Sequence, residues 1–198
     1  MYLEWKRLQR TGLRRLQEAR LPLYERTRLH RGYASHVVPG LFQTPAYAAA
    51  LLSSISRFHG TPDDTTEAVD ARMARARVLH EGTHRFALIV EEAVLRYQVG
   101  EAEAMAGQLG HLLSIMSLPA VSLGIIPFSV RERGMWTLET FDVFDDQRVH
   151  VELLTAQITL TAPSEVGMYV RAWTDLRALA VYGADARSLV SEALEALG

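Results

Sequence analysis

The chain has 198 residues, 48% of them hydrophobic, and a formal net charge of −2, which suits one globular domain, or two small ones, with a core that needs no staples. It holds no cysteine, which excludes disulfides, thiolate metal sites and a cysteine nucleophile. The acidic balance argues against a dedicated nucleic-acid binder, and no apolar run approaches the roughly 18 residues of a membrane span. No secretory signal is expected either, because the arginine-rich N-terminus lacks an apolar run. A cytoplasmic protein is therefore expected. The charge is uneven: residues 1–31 carry nine Lys/Arg against three Glu. A solvated amphipathic helix accounts for this; contact with phosphate, or with the acidic remainder, is the sharper alternative.

In chain order, residues 1–20 read as a helix anchored by Leu3, Leu13, Leu16 and Ala19, ended by Pro22. Residues 23–37 read as a short helix or an extended connector. Val38-Pro39-Gly40 is a turn signal. Thr44 then suits an N-cap and Pro45 the first helical position. That helix should reach about Phe58, with Tyr47, Leu51, Leu52 and Ile55 inward. A second helix is expected over 65–80. Its apolar stripe is Val69, Met73, Ala76 and Leu79, and Arg72, Arg75 and Arg77 are expected outside. Phe86–Glu91 reads as a strand, 102–117 as a helix, and Val121–Ile126 and Trp136–Phe144 as strands. In Arg148–Leu154, Val149, Val151 and Leu153 alternate with polar residues, the signature of a half-buried strand. The short Asp145-Asp146-Gln147 link predicts a hairpin. Ile158–Leu160 could add a fifth strand. Two helices, about 164–181 and 185–197, close the chain, with Ser164 and Asp185 as expected caps.

This order predicts an α+β domain with a small mixed or antiparallel sheet of four to five strands, helices covering one face. One domain over 1–198 is expected. A helical N-terminal subdomain over 1–82, with the sheet in 83–198, is the alternative.

Phosphate-cradling, dinucleotide, nucleophile-elbow and zincin motifs are missing, so no cofactor is expected. His80 and His84 are four apart, but Gly82 between them predicts a helix end; no metal site is expected. His111 suits a partly buried helix position or a polar group in a ligand pocket. Glu91, Glu92 and Arg96 follow an apolar strand, where open sheets place ligand contacts; an ordinary turn with an ion pair is the alternative. Glu152 and His150 share the polar face of their strand and could anchor a ligand if that face meets a cavity. Trp136 and Trp173 are expected in the core. Trp5 should pack the first helix onto the body, or else dock on a partner.

Several segments carry a family resemblance: VPGLFQTPAYAAALL at 38–52, RMARARVL at 72–79, EEAVLRYQVG at 91–100, QLGHLLSIMSLPAVSLGIIPF at 108–128 and FDVFDDQRVHVELL at 141–154, with the final two helices. Together they resemble the C-terminal domain of actinobacterial Xre-type helix-turn-helix regulators, the Scr-type antitoxin-like transcriptional regulators. The resemblance implies a domain that receives a signal or binds a small partner protein. It supplies no catalytic residues. The chain opens at Met1 with that domain, so no sequence-specific DNA reading is expected of it. The expected function is regulatory binding of a small molecule or protein, with a homodimer possible. Pro39, Gly40, Gln43 and Tyr47 are placed at the mouth of the site, and Glu91, Arg96, His111 and Glu152 are its polar contacts. Two alternatives stand beside it. One is an enzyme of specialised metabolism using Glu91 or Glu152 as acid or base. The other is a dimerising or non-specific nucleic-acid-contacting module.

Overall fold

Alternating burial along Arg85–Glu91 sets the layout. Phe86, Leu88 and Val90 join one core cluster, while Ile89 joins a second. A strand whose two faces enter two cores must lie inside a sheet covered on both sides. A computed structural model describes residues 1–10 and 12–198 and shows this sheet. Its strands are β1 (Tyr2–Glu4), β2 (Leu29–Ala34), β3 (Arg85–Glu91), β4 (Val121–Ile126), β5 (Phe141–Phe144), β6 (Arg148–Glu152) and β7 (Ala156–Leu160). They lie in the order β1-β7-β6-β5-β2-β3-β4. β2, β3 and β4 run parallel to one another, and the other pairings are antiparallel.

The expectation of four to five strands is thereby corrected: the sheet is mixed, with seven strands and eight helices among the described residues. The two strands missed near the N-terminus have physical reasons. β1 spans only three residues, too short to show a period. β2 reads LHRGYA, whose polar residues hide the alternation. β1 also begins the segment expected to be one helix. That segment divides into β1, α1 (Trp5–Leu8) and α2 (Arg14–Arg26). Pro22 lies inside α2 rather than ending it. Losing one backbone donor there is offset by packing, since Gln17, Leu23 and Tyr24 are all buried. The sheet therefore draws strands from both sides of residue 83.

Parallel neighbours need long crossovers. α3 (Pro45–His59) and α4 (Thr65–Ala76) link β2 to β3; α5 (Ala93–Arg96) and α6 (Ala102–Ile115) link β3 to β4. α7 (Pro163–Arg177) and α8 (Gly183–Glu195) close the chain, starting a residue or two before the expected caps at Ser164 and Asp185. Helices cover both faces, not one. α2, α6 and α8 supply the first core, with Leu23, Leu109 and Val190. On the other face Val166, Trp173 and Leu176 of α7 meet Tyr33, Ile89 and Phe141. Trp173 is core, as expected, and its Nε1 donates to the Gly32 carbonyl at 3.1 Å. Trp136 is not, with 70% of its surface exposed. Trp5 is buried, and its Nε1 donates to the Leu153 carbonyl at 2.7 Å.

The β5–β6 turn needs left-handed backbone at Asp145 and Asp146, φ 50° and 53°, which aspartate tolerates better than most residues. The Asp145 carboxylate accepts from the amides of Arg28 and Leu29, so this turn also fixes the start of β2.

Candidate functional site

Between the first face of the sheet and the helices above it lies a cavity of about 260 Å³. Its floor includes His30, Gly32 and Asp142; its roof includes Arg20 of α2 and Arg72 and Arg75 of α4. The turn at Pro39–Gln43 and Leu51 and Ile55 of α3 form one wall, and Glu152 closes the β6 side.

Helical spacing brings the roof together. On α2, Gln17, Arg20 and Tyr24 are three and four apart and share a face. On α4, Arg72 and Arg75 do the same. Arg72 and Arg75 are 7% and 2% exposed, a correction to the expectation that both lie outside. The signal was present: Val69, Arg72, Ala76 and Leu79 are spaced three, four and three, so Arg72 sits in the middle of an inward stripe.

Buried cations ordinarily have acidic partners. Among the described residues, no carboxylate forms an ion pair with Arg72 or Arg75. Neutral groups orient them instead. The Gln17 side-chain oxygen accepts from Arg72 Nε at 3.2 Å and from Arg75 Nη1 at 3.0 Å. The Gln43 oxygen accepts from Arg72 Nη1. The Arg75 guanidinium lies 5.3 Å from the Tyr24 ring centroid, and its Nε is a buried donor without a partner among the described residues. Burial, then the nearby Arg75 and Arg20 charges, push the Arg72 pKa down to about 9. Burial and Arg20 lower that of Arg75. A guanidinium group keeps its charge in folded proteins, so both act as cations.

The acidic groups of the cavity already have partners. Glu152 accepts from Arg20 Nη2 at 2.5 Å. Asp142 accepts from His30 Nε2 at 2.8 Å. Burial opposes the Asp142 charge, but His30 and Arg20 outweigh it and hold its pKa below the usual carboxylate range. Two glycines keep the space open. A Cβ at Gly32 would come within 3.0 Å of Asp142 Oδ1, and one at Gly40 within 3.2 Å of Arg75 Nη2.

Of the eight residues expected to form the site, Pro39, Gly40, Gln43 and Glu152 line this cavity; Tyr47, Glu91, Arg96 and His111 do not. Tyr47 is fully buried, and its hydroxyl accepts from the Val38 amide at 3.2 Å. The Gln43 amide donates to the Val38 carbonyl at 2.7 Å, so the turn is knotted onto α3 while Gln43 also positions Arg72. Glu91 accepts from Arg133 with both oxygens, at 2.9 and 2.6 Å, and from the Tyr33 hydroxyl at 2.7 Å. Arg96 donates to Glu92 at 3.0 Å. His111 sits on α6, where burial and then His80 lower its pKa. The cavity also holds five Arg, His and Asp residues that were not expected in the site: Arg20, His30, Arg72, Arg75 and Asp142. They come from four elements, and only the stripe through Arg72 announces any of them.

A family model described as "Domain of unknown function (DUF5753)" matches residues 23–192. The chain belongs to this family. The DUF5753 match takes in the turn, α4 and β6, and so most of the cavity wall. No curated protein matches the chain. Among solved structures, a phospholipase D family member, Nuc, from Salmonella typhimurium is similar in fold. Its TM-score is 0.50 at 8% identity, over 92% of this chain and 96% of that one. At that identity the likeness concerns the fold alone.

Proposed function

We propose that this DUF5753 chain is a regulatory ligand-binding domain, with the cavity between α2, α4 and the sheet as its site. One observation carries it: two buried guanidinium groups at a cavity wall, neither with an acidic partner among the described residues. Such groups destabilise a fold unless something compensates them. Pockets of this kind, with apolar walls and a few convergent polar groups, are where small molecules bind. The regulatory part of the proposal rests on the sequence resemblance to Xre-type regulators, and a cytoplasmic location goes with it. Among the described residues, no helix is long and apolar enough to cross a membrane. Acid–base catalysis by Glu91 or Glu152 is less well supported, because both carboxylates are engaged by arginines.

Retention of a cellular solute tests this. The protein is incubated with a small-molecule extract, separated from it, and assayed by mass spectrometry. The wild-type protein retains a solute, and Val37→Trp, which plugs the cavity from a partly exposed wall position, loses it. Equal retention by both, or none by either, rejects the site.

A further inference from the structure

Taking the cavity as a ligand site, we propose that it binds the oxyanion head of an amphipathic small molecule. Arg72 and Arg75 hold the head, and Leu51 and Ile55 receive the apolar arm.

The charges around the cavity select the sign. Three guanidinium groups face two carboxylates, an excess of one positive charge. Glu152 is held by Arg20 and Asp142 accepts a hydrogen bond from His30, so the guanidinium groups without an acidic partner among the described residues are those of Arg72 and Arg75. A cationic ligand would be repelled, and a neutral one would leave both guanidiniums uncompensated. A carboxylate or a phosphate ester fits, because guanidinium groups present paired donors to oxyanions.

The donors left over select the position. Arg72 uses Nε and Nη1 on Gln17 and Gln43, and Arg75 uses Nη1 on Gln17. Among the described residues, neither Nη2 has a hydrogen-bond partner. Gly40 leaves the approach to Arg75 Nη2 clear, since a Cβ there would stand 3.2 Å from it. The two glutamines thus fix the guanidinium planes without neutralising them, which is preorganisation for an anion rather than a salt bridge. The size favours a short ligand: about 260 Å³ lies just below the usual range for small-molecule sites.

Hexanoate, hexyl phosphate, hexanol and hexylamine, tested by thermal shift and calorimetry, separate the possibilities. At least one of the two anions is expected to bind saturably, raising Tm by roughly 5–10 °C at about one hundred times its Kd. Hexanol and hexylamine are expected to give no saturable shift. The tighter anion identifies the natural head as carboxylate or phosphate ester. Arg75→Met is expected to lose the response while raising the Tm of the ligand-free protein; an arginine that only supported the fold would lower it. Should Arg75→Met fail to fold, Ile55→Asp, at a partly exposed position, supplies a competing negative charge. It should weaken anion binding by about tenfold or more. A hexanol shift equal to that of the anions, or no saturable shift from either anion, overturns the proposal. In that event, retention of a neutral solute that Val37→Trp abolishes leaves the ligand site standing, whereas no retention removes both.

Discussion

His150 shows how the cavity's charge reaches a neighbouring side chain. Burial and then the Arg20 charge push its pKa down to about 4, from an ordinary 6.5. Between those values the unfolded chain takes up a proton that the folded chain refuses. Stability therefore falls as pH drops from 6.5 towards 4. The depressed pKa of Asp142 acts lower: its contribution is present above about pH 3.8 and is lost as pH falls through its folded value. His150→Gln should flatten the decline of Tm between pH 6.5 and 4 and leave the steeper acid limb in place. An unchanged slope in scanning calorimetry would reject the assignment. His150 was placed correctly on the polar face of its strand from alternation alone. What that face meets was not readable, because Arg20 approaches from 130 positions away in the chain.

The segment between β4 and β5 is an element without regular structure that is nevertheless pinned. Glu91 at the end of β3 grips Arg133, and the Glu92 carboxylate accepts from the Phe128 amide at 2.8 Å. The two adjacent acids are thus the fastening of this strap, not acid–base groups. Glu91→Ala takes the acceptor from the Arg133 Nη1 and Nη2 groups and from the Tyr33 hydroxyl. The expected cost is about 2 kcal/mol, reduced from the buried-pair range because Arg133 is 26% exposed. Hydrogen exchange should accelerate across 128–140 while β3 stays protected; protection retained across the strap would show that Arg133 is not its anchor. The two acids and a carboxylate–arginine pair are legible in the sequence, with Arg96 as the arginine at hand. For Glu92 that is right, by the helical spacing of four. For Glu91 it is wrong, since Arg133 lies in a stretch with no period to follow.

At the scale of the molecule, one sheet carries two cores, and adjacent residues of β3 serve different ones. Leu88 enters the core under α6 and α8, and Ile89 the core under α7. Both are at most 1% exposed. Leu88→Ala and Ile89→Ala should each cost about 2–5 kcal/mol through lost burial and the space left behind. Each should shift a single unfolding transition, because the shared strand couples the layers. Two separate transitions in either variant would mean that the layers unfold independently.

Periodicity and turn chemistry were enough to read the α+β class, the β5–β6 hairpin, and the Thr44-capped, Pro45-started helix with Tyr47 inward. These are local properties, set by neighbours within about four residues. The strand count, the second covered face and the site were decided by the fold. β2 turns His30 and Gly32 to the cavity and Arg31 to Asp146 and the Trp173 ring, which makes a central strand look like a connector. Arg72 and Arg75 are charged, which makes an inward helix face look solvated. In both places the local preference is overridden by a buried polar surface whose partners lie far away in the chain, and no window along the sequence contains them.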